Sequence, residues 1–311
     1  MTTAILRTAE GWYRSTRGGA ARIATDATTT GELLLDRPAI ASAADADPVP
    51  VESLELTSPV TAPCRVVAQM TNFASHAQDA GFDPASVPLT FFRKSSSSIS
   101  GPYDDVIRPA HVRLLDYEIE IGLIFGRAMP VGTAIDEENL ADYVAGLVVT
   151  NDISARDVQL PKTQFYEGKS YPTFTPVGPC LVLVDADELK QFTDLRLRLS
   201  VNGQVRQDRT VADMIYRPVA ALQALTRFQR MDPGDLLLTG TPVGTALRAP
   251  AKPLEVVAAL LPPALKWRLF FQAQARNPKY LQDGDLIEAG IATDNGAIDL
   301  GTQRMLVRWA R

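Results

Sequence analysis

Ten residues, Asp-Tyr-Glu-Ile-Glu-Ile-Gly-Leu-Ile-Phe at 116–125, constrain the fold more than any other stretch. Tyr117, Ile119, Ile121, Leu123 and Phe125 alternate with their neighbours, which is the two-residue period of a β-strand with one apolar face. The opposite face carries Glu118 and Glu120, whose α-carbons a strand sets ~7 Å apart. At that separation two carboxylates repel by ~0.6 kcal/mol in water, but by ~2.4 kcal/mol at an effective dielectric of about 20. On a solvated sheet face nothing follows from the pair. On a face that lines a cleft the pair calls for a cation, and hard oxygen ligands suit Mg²⁺, Mn²⁺ or Ca²⁺.

The rest of the chain bounds the possibilities. Its 311 residues suffice for a large domain with a smaller one attached. A net charge of −5 without a basic cluster gives no reason to expect nucleic acid. The first residues lack the apolar core of a signal peptide and no apolar run is long enough for a membrane span, so a cytoplasmic protein is expected. Cys64 and Cys180 are then expected as reduced thiols. Two histidines, His76 and His111, exclude a zinc site built on several histidines.

Read in order, residues 1–60 form a small N-terminal unit, with a strand at residues 33–35 and a loop at 40–50. Residues 61–311 form the main domain, with a helical insertion at about 248–282. Asn72 is placed to cap a short helix on which His76 and Asp79, three apart, share a face. A carboxylate bonded to one imidazole nitrogen makes the other a better base, and an idle surface pair is the plain alternative. Phe-Phe-Arg-Lys at 91–94 leads into a serine run, read either as a solvated loop or as a cationic rim for an anionic substrate. His111 reads as structural. The apolar run at 143–150 delivers Asp152 to a strand end, where it completes a three-carboxylate set with Glu118 and Glu120. Lys169 is a candidate cation beside that set. Asn202-Gly203 is a two-residue hairpin signature. A helix is expected from Thr210 toward Phe228. The glycines at 240 and 244 let backbone N–H groups approach a ligand. Trp267, Phe270 and Phe271 in the insertion are candidates for exposure or an interface.

Taken together, six motifs in order resemble the fumarylacetoacetate hydrolase superfamily. They are Asp-Tyr-Glu-Ile-Glu-Ile at 116–121, Asn-Asp-Ile-Ser-Ala-Arg-Asp at 151–157, Gly-Lys-Ser at 168–170, Val-Asn-Gly-Gln at 201–204, Pro-Gly-Asp at 233–235 and Thr-Gly-Thr-Pro at 239–242. The resemblance implies an α+β, mainly β fold, a mixed β-roll, commonly as a homodimer. It implies a divalent metal, usually Mg²⁺, on Glu118, Glu120 and Asp152, with Lys169 near metal and substrate. Arg156, Gln159 and Thr241 carry over as support for substrate or site, and Lys94 matches a lysine of many relatives. Many relatives pair a histidine with a glutamate three residues later on a lid. Here Asp79, one methylene shorter, stands in the glutamate position, while Ser95 stands where proline is usual. The segment 248–282 replaces a shorter connection, and three roles are open to it: covering the site, extending the dimer interface or decorating the fold.

The expected activity is metal-dependent hydrolysis of a carbon–carbon bond in a β-diketo acid of the acylpyruvate type. His76, oriented by Asp79, would activate water, and Lys169 and backbone donors near Thr241 would stabilise oxyanions. The alternative is decarboxylation or isomerisation/tautomerisation of an oxo-acid at the same metal site, which needs no attacking water. The His76–Asp79 pair separates hydrolysis from decarboxylation, because only hydrolysis requires it. A scaffold that keeps the fold without chemistry is the remaining class, with the 248–282 segment serving a partner.

Overall fold

The structure is a computed structural model and describes residues 2–249 and 260–310. A ten-stranded sheet runs in the order Pro48–Val49, Gly19–Arg22, Gly11–Thr16, Thr3–Thr8, Leu181–Leu183, Val144–Asn151, Ile119–Phe125, Leu236–Leu238, Val66–Met70 and Thr90–Lys94. A five-stranded sheet runs Gln204–Thr210, Leu195–Val201, Leu286–Thr293, Asp299–Trp309 and Val106–Arg108. Most pairs are antiparallel. Leu236–Leu238 lies parallel to Val66–Met70, and Asp299–Trp309 parallel to Val106–Arg108, which makes both sheets mixed. The fold is mainly β with short helices, as the residue patterns imply.

The pivotal strand lies near the middle of the larger sheet, between Val144–Asn151 and Leu236–Leu238. Both of its faces are buried. Ile119, Ile121, Leu123 and Phe125 join a core cluster with Leu195, Leu197, Leu199, Ile287 and Ile291 of the smaller sheet. Ile124 faces the other way, into a second cluster with Val148, Leu236, Leu238, Leu33 and Leu34. A carboxylate on this strand is therefore withdrawn from water unless something opens beside it.

Within residues 1–60, Thr3–Thr8 pairs with Leu181–Leu183 and extends the main sheet. Several local expectations change. Residues 33–35 belong to a helix, Thr30–Leu35, closed at its start by a Thr29–Glu32 capping box. Of the apolar triplet that suggested a strand, Leu33 and Leu34 form the helix's buried side with Thr30, and Leu35 is exposed. The supposed loop at 40–50 holds the end of the Arg37–Ser42 helix and the edge strand Pro48–Val49. The helix expected from Thr210 is broken. A single turn, Val211–Asp213, is followed by Pro218–Leu225, which starts at a proline because proline fits only a helix's first turn. The Asn202-Gly203 hairpin forms with both residues at positive φ, 51° and 74°, linking Leu195–Val201 to Gln204–Thr210. Of the insertion, one helix, Pro263–Gln274, is described, and the other candidate at 256–261 falls mostly outside the described residues. Among the described residues no helix is long and apolar enough to cross a membrane.

Candidate active site

Glu118, Glu120 and Asp152 come together, each offering a carboxylate oxygen within 4.8 Å of the others. Glu120 lies on the Ile119–Phe125 strand and Glu118 immediately before it. Asp152 follows the Val144–Asn151 strand, and its N–H donates to the Glu118 carbonyl at 2.8 Å, so the ladder itself sets the spacing. All three are buried, Glu118 at 6%, Glu120 at 1% and Asp152 at 0% exposure. The solvated-face reading is thereby excluded.

Basic side chains surround the cluster. Lys169 Nζ donates to Glu118 Oε2 at 2.7 Å and to Asp152 Oδ2 at 2.6 Å. Lys94 donates to Asp152 Oδ1 and to the Phe174 carbonyl. Arg156 donates to Glu118 Oε1, through Nε to Asp116 Oδ2 at 2.8 Å, and through Nη1 to Gln159 Oε1 at 3.0 Å. Four carboxylates, counting Asp116, thus face three cations. Glu120 makes no ion pair among the described residues, and its Oε2 accepts the Gly240 N–H at 2.6 Å. Gly240 has φ +86°, and an added Cβ there would lie 2.7 Å from the Asn72 Cβ, so glycine is required for that approach.

The electrostatics follow from this arrangement. Burial, with Asp152 and Glu118 beside it, pushes the Glu120 carboxyl well above the usual range. Burial also works against the Glu118 charge, but Arg156 and Lys169 outweigh it and hold that carboxyl low. Burial pushes Lys94 down despite Asp152. Lys169 is raised, because Asp152 and Glu118 together overcome its burial. A site with one surplus buried carboxylate and three convergent oxygen donors fits a hard divalent cation. Each paired oxygen keeps a lone pair for a second partner.

The cluster lies at a cavity of about 930 Å³. Its wall includes His76, Asp79, Glu118, Glu120, Lys169 and Thr241 at the polar end, and Phe92, Phe165, Trp267 and Phe270 among its apolar lining. Arg156 and Gln159 reach the wall too, although the Arg156 guanidinium is already engaged by carboxylates. Thr241 donates its hydroxyl to the Ile119 carbonyl at 2.8 Å and accepts from Gln207 at 2.8 Å, so it braces the strand as well.

Two expected roles change on geometry. Lys94 was expected at a rim that binds substrate, but it is fully buried and turned onto Asp152, away from the cavity lining. No hydrogen bond joins Asp79 to His76, although both line the cavity from the Ala74–Asp79 helix. Asp79 is exposed, and the His76 Nδ1 is shielded with no partner among the described residues. Phe73, not Asn72, occupies the helix cap. The Asn72 side chain instead donates to the Tyr216 and Thr239 carbonyls at 3.0 and 2.8 Å, tying this segment to the Gly240 turn. Burial lowers the His76 pKa from its ordinary 6.5.

Sequence reasoning passed over Asp116 as a site residue. Its carboxylate accepts from Arg156 and from the Ala246 and Leu247 N–H groups at 2.7 and 3.1 Å, fixing the loop that leads to the cavity wall. Its place at the head of the Asp-Tyr-Glu motif was the available signal. Trp267 and Phe270 line the cavity, which is the site-covering alternative among those open to the insertion. His111 is exposed and bonded to the Tyr171 hydroxyl at 2.8 Å, in keeping with a structural role.

Comparison with known proteins bears on this geometry. The fumarylacetoacetate (FAA) hydrolase C-terminal family matches residues 65–308. The chain belongs to that family. It is 34% identical over 218 residues to a mitochondrial oxaloacetate tautomerase of Rattus norvegicus, covering 70% of this chain and 68% of that one. Among solved structures it resembles a probable 2-hydroxyhepta-2,4-diene-1,7-dioate isomerase from Mycobacterium abscessus, at 30% identity and a TM-score of 0.76 over the whole of both chains. A fumarylacetoacetate hydrolase from Exiguobacterium antarcticum is 26% identical, with a TM-score of 0.74 over the whole of both chains. Family members are therefore enzymes of more than one reaction type, and this chain carries a buried acidic triad that could hold a metal.

Proposed function

We propose that this protein is a divalent-metal-dependent enzyme that interconverts tautomers or isomers of a 2-oxo acid. The observation that carries the reading is the buried Glu118–Glu120–Asp152 triad with Lys169 bonded across two of its members. Glu118, Glu120 and Asp152 would hold the cation, Mg²⁺ or else Mn²⁺ or Ca²⁺, and the bound ion would supply Lewis acidity toward the carboxylate and 2-oxo oxygens. Lys169, charged at neutral pH, stabilises the negative charge that develops when a proton leaves the carbon next to the oxo group. His76, kept neutral by burial, takes that proton from the carbon and passes it to the oxo oxygen, or runs the same transfer in reverse. In the keto–enol step the enol hydroxyl loses a proton and the adjacent carbon gains one, so no water is consumed. The aromatic wall receives the substituent beyond the oxo-acid head, since the cavity is larger than a four-carbon acid requires.

Hydrolysis of an acylpyruvate, the activity expected first from the residues, remains the second reading. His76 in the cavity wall favours it. Against it stands the missing Asp79 contact, which a water-activating base needs for orientation. The test is an oxo-acid panel with Mg²⁺ and then EDTA. Metal-dependent loss of enol-oxaloacetate absorbance, or migration of the double bond in a 2-hydroxydienoate, supports the proposal. Release of pyruvate and a carboxylic acid from an acylpyruvate would replace it with hydrolysis, and release of CO₂ alone with decarboxylation.

A further inference from the structure

Three residues of the cavity wall carry buried polar atoms with no partner among the described residues, Thr245 Oγ1, His76 Nδ1 and both ends of the Gln69 carboxamide, and only Gln69 offers an unpaired donor and an unpaired acceptor together. Gln69 sits in the Val66–Met70 strand and is 2% exposed. Its Nε2 and Oε1 are both shielded from solvent and have no hydrogen-bond partner among the described residues. The residue opposite it on the neighbouring strand is Phe91, which has no polar side-chain atom to offer. Buried carboxamides are normally paired, because withdrawing one from water unpaired costs stability. The preceding positions of the strand, Val66, Val67 and Ala68, are apolar and buried at no such cost. Gln69 also lines the same cavity as Glu118, Glu120, His76 and Lys169.

We propose that Gln69 is a substrate-binding residue that recognises the enol form of the oxo-acid. The proposal rests on the reading of this cavity as an oxo-acid site. A carboxamide presents a donor and an acceptor side by side. The Nε2–H donates to a carboxylate or oxo oxygen of the substrate, and Oε1 accepts the enol hydroxyl proton. A carboxylate or keto group accepts only, and leaves Oε1 unpaired. The enol of a 2-oxo acid satisfies both atoms. A half-turn of the amide exchanges the two roles without losing either. Lys94, Lys169 and Arg156 are all paired with carboxylates, so Gln69 supplies the neutral, directional part of recognition.

The experiment compares wild type, Gln69→Leu and Gln69→Glu, each supplied with Mg²⁺. It measures oxalate binding by calorimetry, kcat and KM for enol-oxaloacetate, and the thermal midpoint without ligand. Gln69→Leu removes an unpaired buried group, so its midpoint should not fall, while KM rises at least about tenfold with kcat nearly unchanged. Oxalate binding should weaken in parallel. Gln69→Glu keeps the shape but adds a negative charge facing an acid. It should weaken oxalate further, and it serves as the second probe where the leucine variant fails to fold. Turnover in wild type with the same KM in both variants overturns the role of Gln69 while leaving the enzyme reading intact. Oxalate binding that depends on Gln69, without turnover of enol-oxaloacetate or a 2-hydroxydienoate, keeps Gln69 as a carboxylate-binding residue but overturns both its recognition of the enol and the tautomerase and isomerase reading. Absence of both turnover and oxalate binding in wild type overturns the two together.

Discussion

The two ends of the cavity are built in opposite ways. The acidic end stands on paired, fully buried strands, and its carboxylates are held by ion pairs from residues up to 58 positions away. The aromatic end adds to Phe92 and Phe165 a twelve-residue helix, Pro263–Gln274, whose side chains are mostly exposed or half-buried. Trp267 there stacks on Phe271 at 5.5 Å and meets Phe270 edge-on at 5.9 Å, so the helix supplies much of its own packing. A network of buried ion pairs cannot shift without leaving charge unpaired. A helix resting on few core residues can change its side chains at little cost to the fold. Under the proposed function, chemistry falls to the first end and substrate selection to the second.

The sharpest way to break this contrast is Arg156→Met. Removing the guanidinium strands Asp116 and Glu118, and the expected loss is ~3–5 kcal/mol of stability, read by denaturant unfolding. A loss below about 1 kcal/mol would show that the acidic end is not the rigid one. Next, Lys169→Met should lower kcat ~10²–10³-fold in a Mg²⁺-supplied assay, with the fold retained by circular dichroism. Wild-type turnover in this variant would remove Lys169 from the chemistry. Trp267→Ala tests the other end. KM for oxo-acids with bulky substituents should rise by up to about tenfold, KM for oxaloacetate should hold, and stability should fall by only ~1 kcal/mol. An equal change for both substrates would deny the helix a selective role.

The smallest effect concerns pH. In the proposed reaction the neutral form of His76 is the base, and burial holds its pKa below the ordinary 6.5. Activity should therefore be fully present at neutral pH and fall as the pH drops through the lowered pKa. The half-loss in kcat/KM should come below 6.5, and Asp79→Asn should leave it nearly in place because no bond joins the two side chains. A half-loss above that value would mean that a carboxylate raises the His76 pKa in solution, which would return the pair to the oriented dyad that hydrolysis needs.

Much of this molecule was legible before any coordinates. Alternation at 116–125 identified the pivotal strand, Asn202-Gly203 the hairpin, and motif order brought Asp152 and Lys169 to the two glutamates. These readings succeeded because a strand's period and a tight turn's φ angles are local properties of the chain. Local pattern also misled. A short apolar run such as 33–35 fits a strand as well as a helix, and only the packing of Leu33 and Leu34 against the main sheet separates the two.

Other features were set by tertiary structure alone. Spacing put His76 and Asp79 on one helix, but whether they touch depends on where that helix docks. Lys94 looked like a rim cation until the sheet turned it onto Asp152. Gln69 did leave a trace, a lone polar residue in an apolar strand, but that trace is equally that of a hydrogen-bonded core glutamine. The sequence by itself determined which side chains share a strand face and which residues can turn. Which carboxylates are paired, which amide is left unpaired, and which cation faces the cavity were decided by contacts between distant segments, because burial and charge pairing depend on everything packed around a residue.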